Sequence, residues 1–253
     1  KIISKIESTT GIDNLKEIIE LSDGIMVARG DLGVEAPMEQ IPFLQKDIIR
    51  ECRRQGKFCI VATEMLESMK KNARPTRAEV SDIANAVING TDAVMLSGET
   101  TTGKFPCQTV KYMADICEEA EKHLDYSIQK NTVVDDISEA IAASVVDTSN
   151  LLNTKLIVAA TMSGRTARLI SNLRPRSLIL ANTPSEKVAR SLALNAGVYP
   201  MISSVYNSTD EIVKDAIVKS KEFMDMNKDD LVVITGGFPN NEKTTNFMKI
   251  EKM

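Results

Sequence analysis

The chain has 253 residues, 43% of them apolar and 4% aromatic, with 31 basic residues against 35 acidic ones for a formal net charge of -4. That dispersed, slightly acidic balance leaves no electrostatic footprint for nucleic acid or an anionic membrane, and the lack of Trp removes a base-stacking platform. No apolar run approaches the roughly 18 residues that cross a bilayer, no signal-peptide pattern opens the chain, and the length favours two domains.

Taken in order, the chain opens on an apolar strand, Lys1 to Ile6, without Met, which reads as the C-terminal part of a longer protein. A helix over Gly11 to Leu21 is expected from Ile12, Leu15, Ile18 and Ile19 at helical spacing. The buried run Gly24 to Ala28 is the next strand, followed by a Gly-containing loop and a helix from about Met38 to Gln55 that stops at Gly56. Strand Phe58 to Ala62, helix Arg77 to Asn89, strand Ala93 to Leu96 and helix Pro106 to Ile128 follow.

Short, continuously apolar strands separated by helices are the signature of parallel sheet with both faces covered. Each of the four strands ends in reactive polar residues: Lys5 and Glu7, Asp31, Thr63, and Ser97 and Glu99. An open doubly wound sheet concentrates its site at one switch point, whereas a (βα)8 barrel collects chemistry from many strand ends. The expected fold is therefore α/β: a partial TIM barrel, its last four βα units, over residues 1–132. A separate α/β sandwich over 133–253 follows a polar stretch that holds Asn131, Asp135 and Asp136. The second series comprises helix Ile137 to Leu152, strand Leu156 to Ala160, helix Thr166 to Leu173, strand Ser177 to Ala181 and helix Ser185 to Asn195. Strand Val198 to Ile202, helix Asp210 to Asp225, strand Leu231 to Thr235 and a last strand near Thr245 to Ile250 complete it.

Side chains alternate along a strand, so Lys5 and Glu7 share a face, and a neighbouring Asp31 brings a second carboxylate. Two carboxylates suit Mg²⁺, which takes its remaining ligands from water and substrate oxygens, and Lys5 is a fixed charge for a transferring phosphoryl group. The bland alternative is two solvated acids with Lys5 in a salt bridge. Gly30 allows a backbone N–H to approach an anion closely. Gly98 to Lys104 matches a P-loop up to its last position, but Phe105 and Pro106 stand where the motif needs a hydroxyl and an N–H, so it is a decoy. Thr161, Ser163, Gly164, Arg165 and Thr166, between a strand and a helix start, form a phosphate cradle, with a capped helix bearing a surface Arg as the alternative. The Gly-rich start of the segment Gly236 to Thr244 is placed to close over the same ligand. The cysteines Cys52, Cys59, Cys107 and Cys117 lack C-x-x-C spacing and His123 is the single histidine, which argues for reduced thiols in a cytoplasmic protein.

The runs KIISKIE, GIMVARGDLGVE, VATEMLESM and RPTRAEVSDIANAVINGTDAVMLSGET closely resemble the pyruvate kinase family, in family order, from Lys1 to Met253. The resemblance implies a kinase of glycolysis that transfers a phosphoryl group from phosphoenolpyruvate to ADP, giving pyruvate and ATP. It implies Mg²⁺ or Mn²⁺ at Glu7 and Asp31, K⁺ at a site belonging mostly to an absent N-terminal portion, and Lys5 stabilising the transferring group. Gly30, Asp31 and Thr63 match positions that meet phosphoenolpyruvate, and Ser97 and Glu99 those discussed for proton delivery. Thr161 to Thr166 resembles the sugar-phosphate effector site of regulated members, which are usually homotetramers. Two departures stand out: Glu64 where Gln is usual, and a loop from Gly236 to Thr244 with Lys243 as its single cation. Two rival readings are a Mg²⁺-dependent barrel lyase or aldolase, and a phosphometabolite-binding module without catalysis. The half barrel by itself is expected to be inactive.

Overall fold

A computed structural model describes residues 1–124, 136–237 and 244–253, and the chain divides into two compact units, Lys1–Asp125 and Tyr126–Met253. The Asn131 and Asp135 part of the expected linker and Lys243 lie outside the described residues, and the helix expected to reach Ile128 ends earlier, at Glu121, where the Lys122 N–H turns back to Glu119 O.

In the first unit, β1 (Ile3–Ile6) leads into two short helices, α1 (Thr9–Asp13) and α2 (Leu15–Leu21), where one helix was expected. The break falls at Asn14, whose backbone leaves helical geometry and whose side chain turns back to donate to Thr10 O at 2.9 Å. Asn competes with the helix for its own backbone, and Gly11 weakens the preceding turn. After β2 (Gly24–Ala28) the expected loop is instead a seven-residue helix, α3 (Arg29–Glu35), so Arg29, Gly30 and Asp31 form its first turn. A 3-10 turn, Met38–Gln40, precedes α4 (Ile41–Arg54), and β3 (Phe58–Ala62), α5 (Arg77–Ile88), β4 (Ala93–Met95), α6 (Gly98–Thr101) and α7 (Pro106–Glu121) follow.

The sheet order is β1-β2-β3-β4, all parallel, each strand beside its sequence neighbour. Consecutive order is what a run of barrel strands gives, whereas a doubly wound sheet reverses direction. Coverage differs from expectation: the core joins Ile6, Ile25, Val27, Cys59, Val61 and Val94, one alternate set along the strands, to helix residues such as Ile19, Ile48, Ile83 and Met113. The other set, Lys5, Met26 and Ala93 among it, lies on the opposite face and is partly exposed. Gly24 is fixed by packing on this second face, since a Cβ there would sit 2.3 Å from the Phe58 ring.

The second unit contains α8 (Ile137–Leu152), β5 (Leu156–Ala160), α9 (Arg165–Asn172), β6 (Leu178–Thr183), α10 (Glu186–Leu192), β7 (Val198–Ile202), α11 (Thr209–Phe223), β8 (Leu231–Gly236) and β9 (Phe247–Lys252). Its sheet runs β7-β6-β5-β8-β9, parallel except for β9. One face, with Ile157, Ala159 and Val233, packs on Val145 of α8 and Ile170 of α9, while the other, with Val158, Leu180 and Ile234, packs on Ile212 and Ala216 of α11. This is the expected α/β sandwich. Its direction of winding reverses between β5 and β8, and a crevice at their C-terminal ends is where open α/β sheets bind ligands.

Candidate functional site

Lys5 points from β1 on the face away from the helices, and Glu7 follows two residues later on the same side. The parallel register sets β2 beside β1, so Asp31 in the first turn of α3 arrives at the same end. The Lys5 ammonium lies 2.5 Å from Glu7 Oε2 and 2.9 Å from Asp31 Oδ2. Both acids therefore meet one nitrogen, which confines their oxygens to a single small volume. The Asp31 carboxylate, then that of Glu7, hold the ammonium protonated well above the ordinary lysine range, and Lys5 in turn keeps the Asp31 carboxyl below its ordinary value. Hard carboxylate oxygens gathered where a cation already sits are a donor set that fits a divalent metal needing one or two protein ligands. Among the described residues no group of three or more His, Cys, Asp or Glu side chains is placed to hold a metal, so such an ion would complete its shell from substrate and water.

Thr63 follows β3 directly and accepts the Gly30 N–H on its hydroxyl at 2.9 Å, while that hydroxyl donates to Ala62 O at 2.6 Å. The Gly30 N–H expected to meet an anion is thus engaged by Thr63. A Cβ at position 30 would meet Thr63 Oγ1 at 3.5 Å, an ordinary contact, so close approach does not by itself require glycine there. Thr63 and Glu64 both occupy the left-handed region, with φ of 70° and 55°. For a β-branched residue this is an outlier, costing on the order of 1–3 kcal/mol that surrounding contacts must offset.

The contacts come from Arg29, to which sequence reasoning assigned no role. Its guanidinium, 8% exposed, donates from Nε and Nη2 to Thr63 O at 3.2 and 2.7 Å and from Nη2 to Glu64 O at 3.1 Å, while Nη1 pairs with Asp82 Oδ2 on α5. The available signal was its place beside Gly30 and Asp31; burial of its charge was not visible.

Ser97 and Glu99 do not share a strand face. Strand β4 ends at Met95, Ser97 precedes α6, and Glu99 sits in the first turn of that helix, 1% exposed. The Glu99 carboxylate accepts the Ser97 N–H at 2.9 Å and the Leu66 N–H at 3.2 Å, tying the loop after β3 to the loop after β4. The P-loop-like run is a helical turn closed by the Gly103 N–H donating to Gly98 O. Lys70, also unread in the sequence, lies over Gly98 and pairs with Glu67 at 2.6 Å.

In the second unit, Thr161 to Thr166 sits after β5 at the reversal of winding, and two N–H groups of this turn are already engaged within it. The Gly164 N–H donates to Thr161 Oγ1 at 2.9 Å and the Arg165 N–H to Ser163 Oγ at 3.4 Å. Gly164 has φ of 82°, and a Cβ there would meet Arg168 Nη1 at 2.7 Å, so this turn does need glycine. The Arg165 guanidinium lies 2.5 Å from Asp136 and 3.8 Å from Glu139, and the Thr166 hydroxyl is shared with Thr245 at 2.6 Å. Asp136, expected in the linker, caps α8 by accepting the Glu139 N–H; that bond and Arg165 keep its carboxyl below the ordinary range.

Residues 1–110 match the family model "Pyruvate kinase, barrel domain", and residues 139–251 match "Pyruvate kinase, alpha/beta domain". The chain belongs to the pyruvate kinase family. It is 48% identical over 260 residues to a pyruvate kinase of Clostridium perfringens, covering 100% of this chain and 55% of the relative. A pyruvate kinase of Staphylococcus saprophyticus is 50% identical over 254 residues, covering 98% of this chain and 43% of the relative. A crystal structure of a pyruvate kinase from Cryptosporidium parvum superposes with a TM-score of 0.92 at 42% identity, covering 100% of this chain and 51% of that one. The chain thus spans about half the length of the pyruvate kinases it matches.

Proposed function

We propose that this chain supplies the C-terminal half of the catalytic barrel, residues 1–132, and the regulatory domain, 133–253, of an enzyme that moves a phosphoryl group from phosphoenolpyruvate to ADP. The phosphorus–oxygen bond to the enol carbon breaks, an ADP phosphate oxygen takes the phosphorus, and the enolate left behind gains a proton at carbon to become pyruvate. The observation that carries the reading is the Lys5 ammonium shared by Glu7 and Asp31 at neighbouring strand ends. A charge fixed there offsets negative charge on a group in transfer without covalent work.

Glu7 and Asp31 are the proposed holders of Mg²⁺ or Mn²⁺, which when bound neutralises phosphate charge and polarises substrate oxygens. Gly30, Asp31 and Thr63 are assigned to the substrate carboxylate, an approach that requires the Thr63 hydroxyl to release the Gly30 N–H. Ser97 is assigned to proton delivery, with Glu99 fixing its backbone. Most of the K⁺ site and much of the nucleotide site are assigned to the half of the family's length that this chain does not span, and the location is the cytoplasm. No helix among the described residues is long and apolar enough to cross a membrane.

Lys5→Ala in the full-length enzyme is expected to depress kcat far more than it raises KM for phosphoenolpyruvate. Near-normal turnover overturns the role. An ADP-coupled assay separates the barrel lyase or aldolase, which makes no ATP. This chain alone is expected to show no turnover, because its half barrel has two open edges.

For the second unit we propose a sugar-phosphate effector bound at Thr161, Ser163, Gly164, Arg165 and Thr166 within a homotetramer. Support comes from the position of this turn at the reversal of winding. A sugar bisphosphate titrated calorimetrically is expected to bind the unsubstituted chain and to lose that heat in Arg165→Ala. Equal heats in the two proteins remove Arg165 from the site.

A further inference from the structure

We propose that Arg29 is a positioning residue, which holds the left-handed Thr63–Glu64 turn and through it sets where the Thr63 hydroxyl stands. The inference rests on the phosphotransferase reading for its consequence in turnover, and on geometry alone for the positioning itself. Thr63 and Glu64 have no intrinsic preference for positive φ, and in that conformation their carbonyls turn toward the guanidinium, whose Nη2 donates to both. The far side of the same guanidinium is fixed on α5 by Asp82, so the turn after β3 is tied to a helix that follows it. The next residue in the chain, Gly30, donates its N–H to the Thr63 hydroxyl. Successive residues of α3 therefore grip one turn from two directions, Arg29 by its side chain at the backbone carbonyls and Gly30 by its backbone at the side chain. A lysine at position 29 preserves the charge facing Asp82, but a single ammonium cannot hold the Thr63 and Glu64 carbonyls and Asp82 in one planar array.

Two measurements test this. In the 253-residue chain, ¹⁵N-detected hydrogen exchange is expected to show the Gly30 amide exchanging about tenfold faster or more in Arg29→Lys, with the β2–β3 ladder amides unchanged. Unchanged Gly30 protection overturns the proposal. Asp82→Asn, at a half-exposed position, is expected to give a weaker form of the same local effect and serves if Arg29→Lys does not fold. In the full-length enzyme, Arg29→Lys is expected to lower kcat per folded molecule by up to about 10²-fold, the scale of an ångström-sized misplacement. In a Thr63→Ala background the same substitution is expected to cost little more, because the hydroxyl it positions is already gone. Full additivity, or wild-type kcat in Arg29→Lys, means that Arg29 serves folding alone. If the unsubstituted enzyme makes no ATP from phosphoenolpyruvate and ADP, the functional reading fails, and Gly30 exchange still decides what Arg29 does.

Discussion

Glu51 on α4 accepts from Arg54 Nε and Nη2 and from Gln55 Nε2, and these donors, Arg54 foremost, hold its carboxyl down at about 2 against an ordinary 4.5. A depressed native value contributes stability that is fully present above the unfolded value and is lost as protons return. The contribution from Glu51 is therefore whole above pH 4.5 and fades toward pH 2. Urea midpoints measured across that window are expected to fall less steeply in Glu51→Gln than in the unsubstituted chain; parallel curves exclude the effect. At this scale the Lys5, Glu7 and Asp31 cluster was legible in the sequence, because strand alternation fixes which neighbours share a side and parallel strands place their ends together. Arg29 was not, nor was the contact of Glu99 with the Leu66 N–H, since each depends on burial against segments more than thirty residues away, which no local pattern records.

Helix α5 opens on a capping box: Thr76 Oγ1 accepts the Glu79 N–H, and the Glu79 carboxylate accepts the Thr76 N–H. The same carboxylate also takes the N–H and hydroxyl of Ser68, binding the segment after β3 to the helix start. Thr76→Ala is expected to cost about 1 kcal/mol, the usual worth of a cap. Glu79→Ala is expected to cost more, about 1–3 kcal/mol, because it also strands the Ser68 donors. Denaturant unfolding of the two variants checks the order, and a Glu79 effect no larger than that of Thr76 excludes the bridging role. Elements with clear caps and unbroken periodicity, such as α8 from Ile137 to Leu152 and β5 from Leu156 to Ala160, were readable to the residue. Helix α3 was hidden because seven residues carrying Gly30 and Gly33 have poor helical propensity, so tertiary contacts and not local preference secure it.

Each unit has a core of its own, but they differ in closure. The sandwich buries both sheet faces, whereas the four-stranded sheet leaves one face partly exposed and, among the described residues, pairs nothing outside β1 or β4. Open edges invite association. Residues 133–253 expressed alone are expected to unfold cooperatively as a monomer or discrete oligomer, and residues 1–125 alone to form heterogeneous aggregates on size exclusion. A well-behaved monomer from the first segment overturns that contrast. The barrel-type order was legible from four strand ends carrying polar groups; the one-sided covering was not, because apolar runs look alike whether helices or further strands lie against them. Strand β9 reverses direction beside β8, pairing Lys252 with Leu231, and so delivers Met253 to the pole where the parallel strands begin. The turn after Ala160 emerges at the other pole, about 16 Å away along a five-residue strand. A dye or surface tether joined at Met253 would leave the turn after Ala160 unobstructed, which makes that residue a natural handle for immobilised titrations.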